Sequence, residues 1–289
     1  MRRIHRNVCR YFFPKSFDKP SAPFPSSQHA ATVFEVNTPV KTGKWLLRKP
    51  PEDSPSLLFC FPYAGVGASS YRQWPQTLPD GTAVCALQPP GRENRFREPG
   101  PTDHAAFATD LVAHLAPLLD RPFAFIGHCG AVPFALETIL TLDDRGLPLP
   151  KRLFASSWGA PHLGLYGALN FVDLDTADLT AEVKQRYLQT GQGEPPEEMA
   201  ELGARVLHED LVLQRPYRYD ASRRVPCPVT VISWSEDDVV PPATVAPGWA
   251  ECADVRVVAL EGRHLDFLHC PGALSDLVTG DLARADAPD

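Results

Sequence analysis

At 289 residues the chain exceeds a typical small domain but does not demand a second one, because α/β folds run to about 250 residues as a single unit. Hydrophobic residues make up 44% and charged residues 22%, which excludes wholesale disorder. No run reaches the roughly 18 apolar residues of a membrane span, and a net charge of −7 weighs against nucleic-acid binding.

Residues 1–44 read as a flexible extension, basic and then Pro-rich. Arg2, Arg3, Arg6, Arg10, Lys15 and Lys19 precede Pro20, Pro23, Pro25, Ser26 and Ser27. Val8 to Phe13, interrupted by Arg10, is too short for the apolar core of about 7–15 residues that a secretory signal needs. A sharper reading makes this stretch a docking arm for an acidic partner. The seven cysteines contain no CxxC pair, so a zinc or thioredoxin-type site has little support. Their usage fits a reducing, cytoplasmic setting, with Cys60 and Cys85 as small buried hydrophobes.

Residues 45–289 read as one α/β domain. Six short apolar runs suit strands covered on both faces of a parallel sheet: Leu57 to Phe61, Ala83 to Leu87, Phe123 to Ile126, Leu153 to Ser157, Val229 to Trp234 and Val255 to Leu260. Helical patterns separate several of them. Between Asp103 and Leu119, Phe107, Leu111, Leu115 and Leu118 recur at spacings of three and four, and Ala131 to Leu142 follows the third run directly. This β–α alternation predicts an open, mostly parallel sheet. Residues from about 162 to 205 hold no good strand and are expected to form a helical lid, or else a solvent-facing excursion.

The segment that carries chemistry is Phe123-Ala124-Phe125-Ile126-Gly127-His128-Cys129-Gly130-Ala131. A strand running through Gly-His-Cys-Gly-Ala into a helix is the context of a nucleophile elbow, whose strained turn needs small neighbours. Gly127 and Ala131 supply them, and Cys129 is the candidate nucleophile. The amide of Gly130, at a helix N-terminus, would favour negative charge on the sulfur and on an oxyanion. An acid and then a histidine are expected further along the chain. Asp237, with Asp238 as the alternative, follows the fifth strand within Ser235-Glu236-Asp237-Asp238, and His264 follows the sixth within Glu261-Gly262-Arg263-His264. His264 would take the thiol proton and the acid would orient the imidazole. His128, His104, His208 and His269 are weaker candidates for the base. The second oxyanion amide is expected in the loop Phe61 to Ser69, with Ala64 as the donor, and no Gly-Lys-Ser/Thr there supports a phosphate site. No metal-ligand spacing appears.

Four blocks together resemble the type II thioesterases: Leu58-Phe59-Cys60-Phe61-Pro62-Tyr63-Ala64-Gly65, Gln88-Pro89-Pro90-Gly91-Arg92-Glu93-Asn94-Arg95, the Gly-His-Cys elbow, and Arg215-Pro216-Tyr217-Arg218-Tyr219. These are discrete α/β hydrolases that accompany polyketide synthases and nonribosomal peptide synthetases. The resemblance covers about residues 45–282. It implies the α/β-hydrolase fold and a substrate held as a thioester on the phosphopantetheine arm of an acyl or peptidyl carrier protein. Tyr63 and Gly65 would contact that substrate, and the enzyme itself would need no bound cofactor. A basic patch around Arg92, Arg95 and Arg97 could meet an acidic carrier. The chain departs from the family pattern at Cys129, where Ser is usual, and at Gly130, Ala131 and Arg263. Cysteine in place of serine keeps a bound acyl group activated, which favours transfer to a second thiol or amine. An editing thioesterase that releases the acyl group to water is the alternative, as is a noncatalytic carrier-binding protein. Some relatives with cysteine in this place shuttle aminoacyl groups between carriers.

Overall fold

The computed structural model describes residues 44–285, so the expected N-terminal extension lies outside the described residues except for Lys44. Six strands form one sheet: β1 (Leu57–Phe61), β2 (Ala83–Ala86), β3 (Phe123–His128), β4 (Leu153–Ser156), β5 (Val229–Trp234) and β6 (Val255–Leu260). Every neighbouring pair is parallel, in the order β2-β1-β3-β4-β5-β6. This is the α/β-hydrolase architecture that the sequence predicts.

Strand periodicity divides the core between the two faces of the sheet. Leu57, Phe59, Phe61, Phe123 and Phe125 point to one face and pack with α1 (His104–Leu115) and α2 (Val132–Asp144). Leu58, Cys60, Ala124 and Ile126 point to the other. In chain order the remaining helices are α3 (Leu179–Gln189), α4 (Glu197–Gln214), the short α5 (Pro242–Val245) and α6 (Trp249–Cys252), and α7 (Gly272–Ala285). α7 covers the second face with Leu274, Leu277, Val278 and Leu282. α1 begins where expected because Asp103 accepts the Ala106 amide at 2.7 Å, an N-cap that satisfies one of the orphan N–H groups. Phe107, Leu111 and Leu115 form its buried stripe.

β6 differs from expectation. Among the described residues it is an edge strand with one neighbour, and Arg256, Val257 and Ala259 are exposed. α7 can cover only one side of it, so the strand is not buried on both faces as its apolar composition suggests. The excursion between β4 and β5 is helical, but α4 continues to Gln214, beyond the expected limit at 205. α3 and α4 pack through Leu179, Val183, Ala200, Ala204, Leu207 and Leu211.

The connection from β1 leads outward to β2, whereas the chain from β3 onward builds the other way. The crevice at the carboxyl ends of β1 and β3 is therefore the topological switch point, where open α/β sheets bind ligands. The loop after β1 and the turn after β3 both open there.

Candidate active site

Cys129 leaves β3 with φ +52°, a left-handed conformation rarely adopted by a residue bearing a Cβ. A tight turn through Cys129–Ala131 then feeds α2. The turn closes because position 127 lacks a side chain: a Cβ there would lie 3.2 Å from the Ala131 carbonyl carbon and the Val132 nitrogen. Strand, strained residue and helix N-terminus together form a nucleophile elbow.

His264 opens a short 3₁₀ turn after β6 and is 6% exposed. Its Nδ1 donates to Asp237, at 3.0 Å from Oδ1 and 2.9 Å from Oδ2. That leaves Nε2 free of Asp237, and His264 and Cys129 line the same cavity. Asp237 takes three further donors. Oδ1 accepts the amides of Val239 at 2.9 Å and Val240 at 2.8 Å, and Oδ2 accepts Ser157 Oγ at 2.7 Å. Of the two neighbouring acids, Asp237 holds the imidazole, while Asp238 is exposed at the cavity wall.

Burial disfavours charge on both partners, but their contact outweighs it. For His264, burial acts downward; the hydrogen bond to Asp237, then the hydrogen bond and charge of Cys129, hold the pKa up at about 9. For Asp237, burial acts upward; the His264 and Ser157 hydrogen bonds hold it down at about 2. His128 packs against the His264 ring, with centroids 4.4 Å apart. It is 1% exposed, bonds Ser156 Oγ through Nδ1 at 2.9 Å and stacks on Phe267 with ring centroids 4.4 Å apart. Burial, then the neighbouring His264, holds it well below the ordinary histidine range. His269 lies in the 3₁₀ turn before α7, bonded to Gln73. His104 is the buried first residue of α1, and His208 is exposed on α4.

A cavity of about 680 Å³ opens over the elbow, lined by Tyr63, Ala64, Cys129, Gly130 and His264 together with residues of α3 and α4. Ala64 and Gly130 thus share its wall with the sulfur, as their expected oxyanion role requires. Gly65 is placed differently. It lines a neighbouring cavity of about 470 Å³, and its amide is occupied by Asp210 Oδ2 at 2.8 Å. Its φ of +89° and the closeness of Leu207, 3.1 Å from where a Cβ would stand, account for glycine there. Tyr63 lines both cavities, with the Arg186 guanidinium 6.0 Å from its ring centroid.

In the glycine loop after β1, several backbone amides are already taken by side chains. Gly67 and Ser69 donate their amides to Glu93, and Ala68 donates to Gln88 Oε1. The expected basic patch is mostly absent from the surface. Arg92 and Arg95 are each 7% exposed. Arg92 forms a two-bond ion pair with Asp210 at 2.7 and 2.8 Å, and Arg95 bonds the Gln88 carbonyl and Glu98. Only Arg97 of the three is exposed. The charges that read as a docking patch instead pair with the buried Asp210, the half-buried Glu98 and backbone carbonyls. Among the described residues, no group of three or more His, Cys, Asp or Glu could hold a metal ion, and no helix is long and apolar enough to cross a membrane.

Three neighbours of the site were not foreseen. Ser157 and Gln214 are fully buried polar residues in apolar surroundings, and Arg186 ties α3 to the Ala64 carbonyl at 3.1 Å. A glutamine ending the apolar run Leu211-Val212-Leu213 was a legible anomaly. Nothing in the sequence marks the positive φ of Ser157.

Residues 56–218 match the family model of the thioesterase domain, more than half of the chain. The chain belongs to the thioesterase family. This thioesterase-family protein, an enzyme of the α/β-hydrolase superfamily, is 32% identical over 240 residues to the linear gramicidin dehydrogenase LgrE of Brevibacillus parabrevis, covering 80% of this chain and 89% of that one. It is 29% identical over 280 residues to a probable cadicidin biosynthesis thioesterase of Streptomyces griseus, covering 93% of this chain and 75% of the relative. Among solved structures, the RedJ thioesterase of the prodiginine biosynthetic pathway in Streptomyces coelicolor superposes with a TM-score of 0.62 at 28% identity, covering 82% of this thioesterase and 88% of RedJ.

Proposed function

We propose that this thioesterase-family enzyme acts in the cytoplasm, in a polyketide or nonribosomal peptide pathway, on acyl or aminoacyl groups borne as phosphopantetheine thioesters on a carrier protein. Cys129 takes the group and passes it to a second thiol or amine. The observation that carries the reading is a cysteine at a strained elbow, sharing a large cavity with an imidazole that Asp237 anchors.

The steps balance without an external reagent. The thiol proton passes first to His264 Nε2, whose raised pKa favours holding it, and the sulfur then attacks the thioester carbonyl. The carbonyl electrons move to oxygen, where the amides of Ala64 and Gly130 receive them. The carbonyl re-forms, the bond to the pantetheine sulfur breaks, and His264 returns the proton to that leaving group. An acceptor thiol or amine then loses its proton to His264, attacks the acyl-Cys129 thioester and expels the Cys129 sulfur, which takes the proton back. Asp237 stabilises the imidazolium throughout. The pantetheine arm belongs to the carrier, so the enzyme supplies no cofactor of its own.

The oxygen-to-sulfur exchange at position 129 sets the outcome. A thioester on Cys129 lies close in energy to the pantetheine thioester, so the acyl group remains activated. Thiols and amines attack thioesters more readily than water does. Hydrolysis is the second reading, and the thioesterase names of the relatives favour it. Incubation of the enzyme with acyl-loaded carrier, followed by intact-protein mass spectrometry, separates the two. An adduct on Cys129 that decays only when an acceptor thiol or amine is added supports transfer. Rapid release of free acid, no faster with acceptor, supports hydrolysis. Full biological activity in Cys129→Ala would instead make the protein a noncatalytic carrier-binding partner.

A further inference from the structure

The two candidate oxyanion amides, of Ala64 and Gly130, sit on different loops, and each is followed by a peptide unit gripped by the helical excursion. The peptide joining Ala64 to Gly65 is held at both ends. Its carbonyl accepts from Arg186 Nη1 of α3 at 3.1 Å, and its N–H donates to Asp210 Oδ2 of α4 at 2.8 Å. The peptide joining Gly130 to Ala131 is held at its carbonyl by Gln214 Nε2 at 2.6 Å. Asp210 and Gln214 stand four residues apart on α4, so they share one helix face. They are 3% and 1% exposed. The Asp210 charge is balanced by Arg92, which fixes the carboxylate as an anchor.

Position 130 explains why a glutamine is needed. Glycine has the freest backbone of any residue, yet here it carries an oxyanion amide directly after the strained Cys129. A Cβ at position 130 would collide with the Gln214 amide. The missing side chain and the buried amide therefore share one volume, and the amide returns the restraint that the side chain would have given. An apolar residue could fill that volume as well. A buried amide is costly unless bonded, and this one is bonded to the backbone whose orientation matters.

We infer that Gln214 is a positioning residue: with Asp210 as its partner anchor on α4, it fixes the Gly130 backbone so that the amides of Ala64 and Gly130 converge on the acyl oxygen. The inference rests on the acylation of Cys129 proposed above. Gln214→Leu keeps the size of the side chain and removes the donor, and Gln214→Met serves if the leucine variant does not fold. The probe is hexanoyl-pantetheine labelled with ¹³C at the thioester carbonyl. The wild-type chain should form the Cys129 adduct, with its carbonyl stretch lowered by the two donors. In the folded variant the stretch should move to higher frequency and kcat should fall about tenfold, with KM unchanged. A purely packing role would leave the frequency in place. An unshifted stretch, a loss confined to KM, or a wild-type rate in the folded variant overturns the inference while leaving acylation intact. Absence of any adduct on the wild-type chain overturns the underlying reaction and the inference with it.

Discussion

Ser157 Oγ donates to Asp237 Oδ2 over 2.7 Å from a backbone held at φ +50°, so a second left-handed residue besides Cys129 feeds the same charge network. Such a conformation costs of order 1–3 kcal/mol in a residue with a Cβ. Ser157 lies at the end of β4 with its amide bonded to the Ile232 carbonyl, so sheet register fixes it there. Ser157→Ala keeps the strain and removes a hydrogen bond to a charged group, a loss of about 2 kcal/mol in stability. Activity should fall about tenfold as Asp237 holds the imidazole less firmly. Ser157→Gly relieves the strain and should be the more stable of the two, yet equally impaired. Thermal melts and acylation rates on both variants check this. Equal stability, or wild-type activity in either, contradicts it.

Stability should also depend on pH through His264. Its folded pKa of about 9 stands above its ordinary 6.5, despite burial, because of Asp237 and Cys129. A raised pKa contributes stability that is fully present below about pH 6.5 and is lost as pH rises through about 9. Asp237 runs the other way: its share is present above 3.8 and is lost as pH falls through about 2. Cys85 and Cys227, pushed up to about 12 by burial, add their own alkaline loss, because unfolded thiols ionise earlier. The difference between wild type and His264→Gln therefore isolates the histidine. The wild-type melting temperature should fall more steeply between pH 7 and pH 9, by roughly 5 °C. Parallel curves would count against the ion-pair account.

The Arg92–Asp210 pair should behave as a buried, hydrogen-bonded salt bridge. Both side chains are nearly inaccessible, and Asp210 also receives the Gly65 amide. Arg92→Met leaves that carboxylate uncompensated, at a cost of about 3–5 kcal/mol. Adding Asp210→Asn to Arg92→Met removes the stranded charge and should recover much of the loss. A denaturant titration of the single and double variants decides it. A double variant no more stable than Arg92→Met would mean that the pair is not the seat of the effect.

Much of this was legible because strands, elbow and chain order leave strong local marks. β5 and β6 occupy the residues that their apolar runs predict, and Gly127 announces a turn that admits no Cβ. The choice of Asp237 over Asp238 was only weakly legible. Adjacent acids look alike until the loop after β5 turns one inward to His264 and leaves the other at the cavity wall. Arg92 and Arg95 misled for a similar reason: a run of charge looks like surface when its partners, Asp210 and the Gln88 carbonyl, come from elsewhere in the chain. The edge position of β6 depends on strand order, which composition does not encode.

Cys129→Ser tests the energetic argument most directly. Sulfur and oxygen can occupy the same elbow, since both side chains are small and position 127 leaves the turn unobstructed. With serine, transfer from pantetheine forms an oxygen ester, lower in energy than the thioester consumed. The forward step is then downhill, and return of the acyl group to any thiol is uphill. Serine must also give up a more tightly held proton to His264, so acylation should slow by roughly tenfold or more. The expected outcome is an acyl adduct that no longer discharges to an acceptor thiol and decays only by slow hydrolysis. Mass spectrometry of the adduct with and without acceptor gives the partition between the two fates. If Cys129→Ser passes its acyl group to a thiol as efficiently as wild type, the retained activation of the cysteine thioester is not what directs transfer.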